Sequence, residues 1–198
     1  MWPISTDKCL IPFLGKPLLY HNLKQISEAL NPEEVVIVAN PQSKDEINKI
    51  LSELNLKGTI AIQTKPLGMA DALLSAKDLI EGEVLIVNAE DILDGEIYSK
   101  INGADVVVAA KKVDKYFSGG YIKGEGERVK GIVEKPGEGN EPSDMVKLVV
   151  DYFKDGKKLV DYLEKASSEN DDVYEVALSK MISDGMDVKF VKYGGVWI

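Results

Sequence analysis

Three stretches of the chain are apolar without alternation: Val35-Val36-Ile37-Val38-Ala39, Val84-Leu85-Ile86-Val87 and Val106-Val107-Val108-Ala109-Ala110. A strand that does not alternate is buried on both faces, the habit of a parallel sheet covered by helices. The neighbouring segments carry the helical period instead. Pro17 to Leu30 places Leu19, Leu23, Ile26 and Leu30 on one face, and Ser43 to Leu54 does the same with Ile47, Ile50, Leu51 and Leu54. Met69 to Ile80 carries Leu73, Ala76 and Ile80, with Gly82 as a stop. Strands alternating with helices predict an α/β doubly wound fold.

The second half reads differently. Tyr121 to Lys123, the turn Gly124-Glu125-Gly126-Glu127-Arg128 and Val129 to Glu134 predict a β-hairpin. Gly137 to Pro142 reads as a loop, followed by helices from Ser143 to Phe153 and from Lys157 to Lys165. A polar surface loop is expected over Ser167 to Asp172, then a capped helix from Asp172 through Met181 to Gly185, and a last strand from Val188 to Tyr193. With no repeat, low-complexity tract or clear boundary, residues 1–198 read as a single domain.

Charge narrows the partners. The 33 acidic residues against 24 basic ones give a net charge of −9, a field that repels phosphate backbones. Arg128 is the only arginine and the lysines form no stripe, so no nucleic-acid partner is expected. No apolar run approaches membrane-spanning length, and the N-terminus lacks the order of a signal peptide, so the reading is a soluble cytoplasmic protein with no membrane partner. The lone Cys9 excludes a disulfide framework or a multi-cysteine metal site and reads as a small packed residue. His21 lies in a predicted helix without a carboxylate partner in its pattern, and no catalytic role is expected of it.

Open α/β sheets bind ligands beyond the carboxyl ends of their strands. Two predicted strands run into polar residues there: Ala39-Asn40, and Val87-Asn88-Ala89-Glu90-Asp91. Adjacent carboxylates at such a place suit a hard cation such as Mg²⁺, completed by phosphate oxygens. The same residues also read as a solvated acidic turn, with Asp91 or Asp94 capping a helix near Ile97. Lys8 could meet a phosphate, although a single lysine is ordinarily surface. Pro66-Leu67-Gly68 before a helix lets a ligand approach bare backbone, or is a plain helix-starting turn. Glu134-Lys135-Pro136 closes the hairpin, where such a pair is ordinarily solvated.

Taken in order, Lys8-Cys9-Leu10-Ile11-Pro12 through Gly15-Lys16-Pro17-Leu18-Leu19, Gln63 to Ala70, Asn88-Ala89-Glu90-Asp91 and Glu134-Lys135-Pro136 resemble the sugar-1-phosphate nucleotidylyltransferase family. Glucose-1-phosphate thymidylyl- and uridylyltransferases are of this kind, and the resemblance runs from residue 2 to residue 198. It implies a Rossmann-like, doubly wound mixed sheet flanked by helices, of the nucleotide-diphospho-sugar transferase type. It further implies transfer of a nucleotidyl group from a nucleoside triphosphate, UTP or dTTP, to a hexose 1-phosphate, with Mg²⁺ as cofactor; an assembly of identical copies is compatible with it.

Residue by residue, the resemblance implies that Lys8 holds the triphosphate, that Gln63 meets the base, and that Pro66, Leu67 and Gly68 line the nucleotide. Glu90 and Asp91 fall on the family's metal motif. Gly120, with Gly119 nearly as good a match, falls on the glycine that contacts the sugar. Glu134 matches a sugar-hydroxyl acceptor, Lys135 the lysine on the sugar phosphate, and Glu175 a further acid on the sugar side. Three departures stand out: Met69 replaces a usual Thr, Glu90 a usual Asp, and Lys147-Leu148-Val149 a usual Asn-Ala-Gly. The family's glycine-rich triphosphate loop would precede residue 1, and a second acidic metal ligand would follow Ile198. The expectation is therefore a domain incomplete at both ends, with little turnover by itself; the alternative is a non-catalytic sugar-phosphate or nucleotide binder.

Overall fold

The computed structural model describes residues 7–168 and 172–198. Part of the expected polar loop at Ser167 to Asp172 lies outside them. After a 3₁₀ turn at Lys8–Leu10, two short strands, β1 (Pro12–Phe13) and β2 (Lys16–Pro17), form a tight hairpin. Its turn residues Leu14 and Gly15 have φ of 48° and 82°, the left-handed conformation that glycine adopts freely. The rest follows as α1 (Leu18–Leu30), β3 (Val35–Ala39), α2 (Lys44–Glu53), β4 (Gly58–Ile62), α3 (Met69–Ser75), β5 (Val84–Val87), α4 (Glu96–Lys100) and β6 (Val106–Lys112). Then come β7 (Gly120–Glu125), β8 (Arg128–Glu134), β9 (Met145–Phe153), α5 (Gly156–Lys165), α6 (Val173–Ser183) and β10 (Val188–Lys192).

Six strands form one mixed sheet in the order β5-β9-β6-β10-β8-β7, with β9 also touching β7; β3 and β4 form a separate parallel pair. The three apolar runs are strands, and β6 is buried along Val106 to Ala110 as its lack of alternation predicts. Two expectations are corrected. Ser143 to Phe153 is not a helix but the longest strand, β9, which lies antiparallel between β5 and β6. Its valines and leucine cross the middle of the sheet, and it gives the otherwise parallel-looking runs their mixed sheet. The predicted helix from Met69 to Ile80 breaks after Ser75 into a 3₁₀ turn, Lys77–Leu79.

Helices cover both faces. On one, Leu73 of α3, Leu159 and Leu163 of α5, and Leu178 and Met181 of α6 pack on Val106, Val108, Ile122 and Phe190. On the other, Ile97 and Tyr98 of α4 and Ile26 of α1 pack on Val107, Ala109, Leu148 and Val150. A third cluster joins Leu19 and Leu23 of α1 and Ile47, Ile50 and Leu51 of α2 around Ile37 and Ala39 of β3. Among the described residues no helix is long and apolar enough to cross a membrane.

The register puts one edge of the main sheet to use. Strands β5, β6 and β10 run the same way, so their carboxyl ends share an edge with the amino end of β9. Tyr121 pairs with Val146 and Gly120 with Glu134, so the hairpin closes onto this same edge. The chain also returns there at its last residues. Ile92 and Ile198 exchange both backbone hydrogen bonds, 3.0 and 3.2 Å, and the Trp197 ring meets that of Phe117 edge-on at 4.9 Å.

Candidate active site

The carboxyl ends of β3 and β5 are tied together by the segment before α1. The Asn40 side-chain amide donates to Asp7 Oδ1 at 2.6 Å, which fixes Asp7 at the end of β3. The next residue, Lys8, reaches the end of β5, and its ammonium donates to Glu90 Oε2 at 3.2 Å across 82 residues of sequence. Both side chains are open to solvent, 68% and 42% exposed, so the pair can separate at little cost when a charged ligand arrives. Below them Asn88 organises the turn: its Nδ2 donates to Asp91 Oδ2 at 3.0 Å, and the backbone N–H of Asn88 donates to the Val149 carbonyl at 2.9 Å. The buried Asn22 of α1 donates to the Ala89 carbonyl at 2.9 Å and pins the turn from the other side.

Neither Asp91 nor Asp94 caps α4, which corrects that reading of the acidic turn. Gly95 stands at the N-cap without a side-chain bond, and Asp94 instead accepts from the Tyr193 hydroxyl at 2.8 Å. Glu90 and Asp91 thus remain two oxygen donors side by side at a strand end, chemically fit for a hard divalent cation. Among the described residues no group of three or more His, Cys, Asp or Glu gathers as a metal site, so such a cation would need oxygens from a ligand.

Gln63 follows β4. Its side-chain nitrogen donates to Asp71 Oδ2 at 2.7 Å and to the Gly68 carbonyl at 3.3 Å. With the amide nitrogen so engaged, Oε1 remains as an acceptor. Gly68 has φ of 92°, a conformation side chains resist, and it opens α3 with bare backbone while Leu67 stands out into solvent.

On the far side, the hairpin places Gly120 against Glu134: a Cβ at Gly120 would lie 3.1 Å from Glu134 Oε2 and 4.0 Å from Lys147 Cβ. Lys135 has φ of 44°, a strained corner closed by its backbone N–H on the Gly119 carbonyl at 3.1 Å, and its ammonium lies 3.4 Å from Glu134 Oε1. Gly119 itself faces the Phe117 ring, so Gly120 is the glycine that borders the carboxylate.

Sequence reasoning singled out Lys147 only as a departure from the usual Asn-Ala-Gly and missed the buried group that it forms beneath this corner. Val108 pairs with Asp151 and Ala110 with Lys147, so β9 spends four residues where β6 spends two. The bulge draws Lys147 and Asp151 together; on a regular strand four residues would span about 13 Å. The Lys147 ammonium lies 2.6 Å from Asp151 Oδ2 and 5.2 Å from the Tyr174 ring centroid, and the Tyr174 hydroxyl donates to the same oxygen at 2.7 Å. Burial pushes the Asp151 carboxyl up, while the Lys147 charge and the Tyr174 hydroxyl pull against it. Beside Tyr174, burial also raises Glu175; the Lys147 charge opposes this, and the carboxylates of Glu134 and Asp151 add to it. The available signal was a pair of opposite charges inside an otherwise Val- and Leu-rich segment.

The sequence profile of the nucleotidyl transferase family matches residues 1–198. The chain is 28% identical over its whole length to 47% of the bifunctional protein GlmU of Methanococcus maripaludis (strain C7). Over 70% of its length it is 30% identical to 33% of the GlmU of Methanococcus vannielii. It therefore spans a third to about half of these curated relatives. In fold it matches UDP-glucose pyrophosphorylase complexed with UDP-glucose, with TM-score 0.80 and 18% identity over 96% of this chain and 83% of that one. The inositol-1-phosphate CTP transferase from T. maritima matches equally, with TM-score 0.80 and 18% identity over 98% and 80%.

Proposed function

Because the chain belongs to the nucleotidyl transferase family, we propose that it joins a nucleoside triphosphate to a hexose 1-phosphate, giving a nucleoside-diphosphate sugar and pyrophosphate. The observation that carries this reading is one sheet edge bearing two separate phosphate-ready cations. Lys8 stands over the Glu90–Asp91 turn, and Lys135 stands at the Glu134 corner beside Gly120.

The chemistry follows from those positions. A phosphate oxygen of the sugar 1-phosphate attacks the α-phosphorus, the bond to the β-phosphate oxygen breaks, and pyrophosphate leaves. Lys8 exchanges Glu90 for the triphosphate and balances the charge that builds during in-line attack. Lys135 neutralises the sugar 1-phosphate, Glu134 and Glu175 accept ring hydroxyls, and Gly120 leaves room for the ring. Glu90 and Asp91 would hold Mg²⁺, which when bound screens the phosphate charges. Gln63 Oε1, an acceptor, matches the N3–H of uracil or thymine, so UTP or dTTP is the expected donor; Pro66, Leu67 and Gly68 give base and ribose an open backbone to lie on.

The test is a panel of four nucleoside triphosphates crossed with several sugar 1-phosphates, followed by pyrophosphate release. It is run on the 198-residue chain and on any longer reading frame that contains it. Uridine or thymidine donors with a hexose 1-phosphate should release pyrophosphate. Binding of both substrate classes without release by any form would reduce the protein to a binder, and binding of neither would overturn the reading.

A further inference from the structure

Lys147 is the one buried lysine among the described residues, and its side chain is only 3% exposed. The ion pair it forms is not a stability device. Taking two charges out of water consumes most of what their attraction returns, and apolar residues of the same volume often serve a fold better. Asp151 is also left with Oδ1 buried and unpartnered. The location offers a reason for the arrangement. Lys147 lies between the two acids of the sugar side, with its Cβ against Gly120 and hence Glu134, and its ammonium over Tyr174, the residue before Glu175.

We propose that Lys147 is a positioning residue for the sugar 1-phosphate: it supplies the buried positive charge against which Glu175 stands as an acceptor, beside Glu134 and in front of Gly120. This deepens the proposed transferase reading and rests on it. Asp151 and Tyr174 clamp the Lys147 ammonium so that it cannot swing out to solvent, while Glu134 has the exposed Lys135 ammonium 3.4 Å away, which leaves Lys147 as the buried cation on the Glu175 side. The charged groups that bear on Glu175 are Lys147 and Asp151 from β9 and Glu134 from β8. The ligand class follows. Two carboxylate acceptors take ring hydroxyls, as on a hexose 1-phosphate whose ring is uncharged, whereas a ring carboxylate would add a further negative charge to the three already there.

The experiment measures binding of glucose, galactose, mannose and N-acetylglucosamine 1-phosphates by calorimetry between pH 6 and pH 9. It compares wild type, Lys147→Met and the double variant Lys147→Met/Asp151→Leu. The double variant removes both buried charges and keeps the test alive if the single one fails to fold. Without the ammonium, Glu175 takes a proton at a higher pH. For Lys147→Met the ratio of wild-type to variant affinity should therefore be about tenfold or more at pH 6 and shrink toward one by pH 9, a tenfold change being one pKa unit; the double variant, which also removes the opposing Asp151 charge, should show the same fall with pH from a smaller ratio. UTP binding should not change. A ratio that stays constant with pH in either variant, or variants that bind like wild type throughout, would overturn the positioning role. Wild type that binds none of the four would overturn the transferase reading itself, a result distinct from either.

Discussion

Gly120→Ala separates the sugar side of the site from the fold that carries it. The added Cβ would sit 3.1 Å from Glu134 Oε2 and 3.2 Å from Ile132 Cγ2, a few tenths of an ångström closer than ordinary contact. Gly120 does not have positive φ, so alanine brings no backbone strain. In a strand, replacing glycine gains about 0.5–1 kcal/mol through the lower entropy of the unfolded chain. Mild overpacking against Ile132 costs about 1 kcal/mol, so the two nearly cancel. The melting temperature should then move by no more than about 4 °C. The easier neighbour to displace is the Glu134 carboxylate, the free end of a flexible side chain. Losing a hydrogen bond to a charged group costs about 1.5–3 kcal/mol, which corresponds to a sugar 1-phosphate affinity about 10- to 150-fold weaker. Calorimetry with sugar 1-phosphate and with UTP, beside a thermal melt, reads all three quantities. A large drop in melting temperature with equal losses for both ligands would refute this reasoning and make Gly120 a packing residue; so would unchanged sugar binding.

Three further outcomes are expected. Lys135→Ala should weaken sugar 1-phosphate binding by about 10- to 150-fold and leave UTP binding alone, whereas a merely solvated Glu134–Lys135 pair would change either by less than about 0.5 kcal/mol; calorimetry decides between them. Burial pushes the Cys9 thiol up to about 12 from 9.0, so it should resist thiol reagents at pH 8 until the protein unfolds; since the unfolded thiol ionises first, stability should fall as pH climbs from 9 toward 12, and a thiol that reacts rapidly in the native protein would contradict both statements. Gly195→Ala would drive its Cβ into Asp94 and the Tyr193 hydroxyl, so it should destabilise the protein by about 1–3 kcal/mol in a denaturant melt; an unchanged midpoint would mean that the closing segment is not held as described.

Much of the fold was legible because the physics was local. The unbroken valine runs of β3, β5 and β6 mark strands that expose no side fully, with β6 buried along Val106 to Ala110 and β3 and β5 part-buried, and the Gly-rich turn between β7 and β8 admits little but a hairpin. Strand β9 was misread for a specific reason. Asp144, Lys147, Asp151 and Lys154 recur at intervals of three and four, which imitates the polar stripe of a helix. In the fold a bulge brings Lys147 to Asp151 and buries both, so the spacing reflects a distorted strand pairing that no local pattern reveals. The site divides in the same way. Glu90 with Asp91, and Glu134 with Lys135, are neighbours in sequence and visible as pairs. Lys8 meets Glu90 across 82 residues, and Tyr174 meets Asp151 across 23. Such contacts emerge only from topology, and only the resemblance in motif order gave Lys8 its place beforehand.

The central claim, that this sheet edge joins two phosphates by attack at the α-phosphorus, is tested most directly by ³¹P NMR of UTP, Mg²⁺ and hexose 1-phosphate with the protein, on the chain and on any longer reading frame containing it. The expected spectrum shows the sugar phosphate resonance giving way to a diphosphate linkage as pyrophosphate accumulates in equal amount, with both changes abolished by Glu90→Gln together with Asp91→Asn. Release of inorganic phosphate with the sugar phosphate untouched, or an unaltered spectrum in every form of the protein, would contradict it.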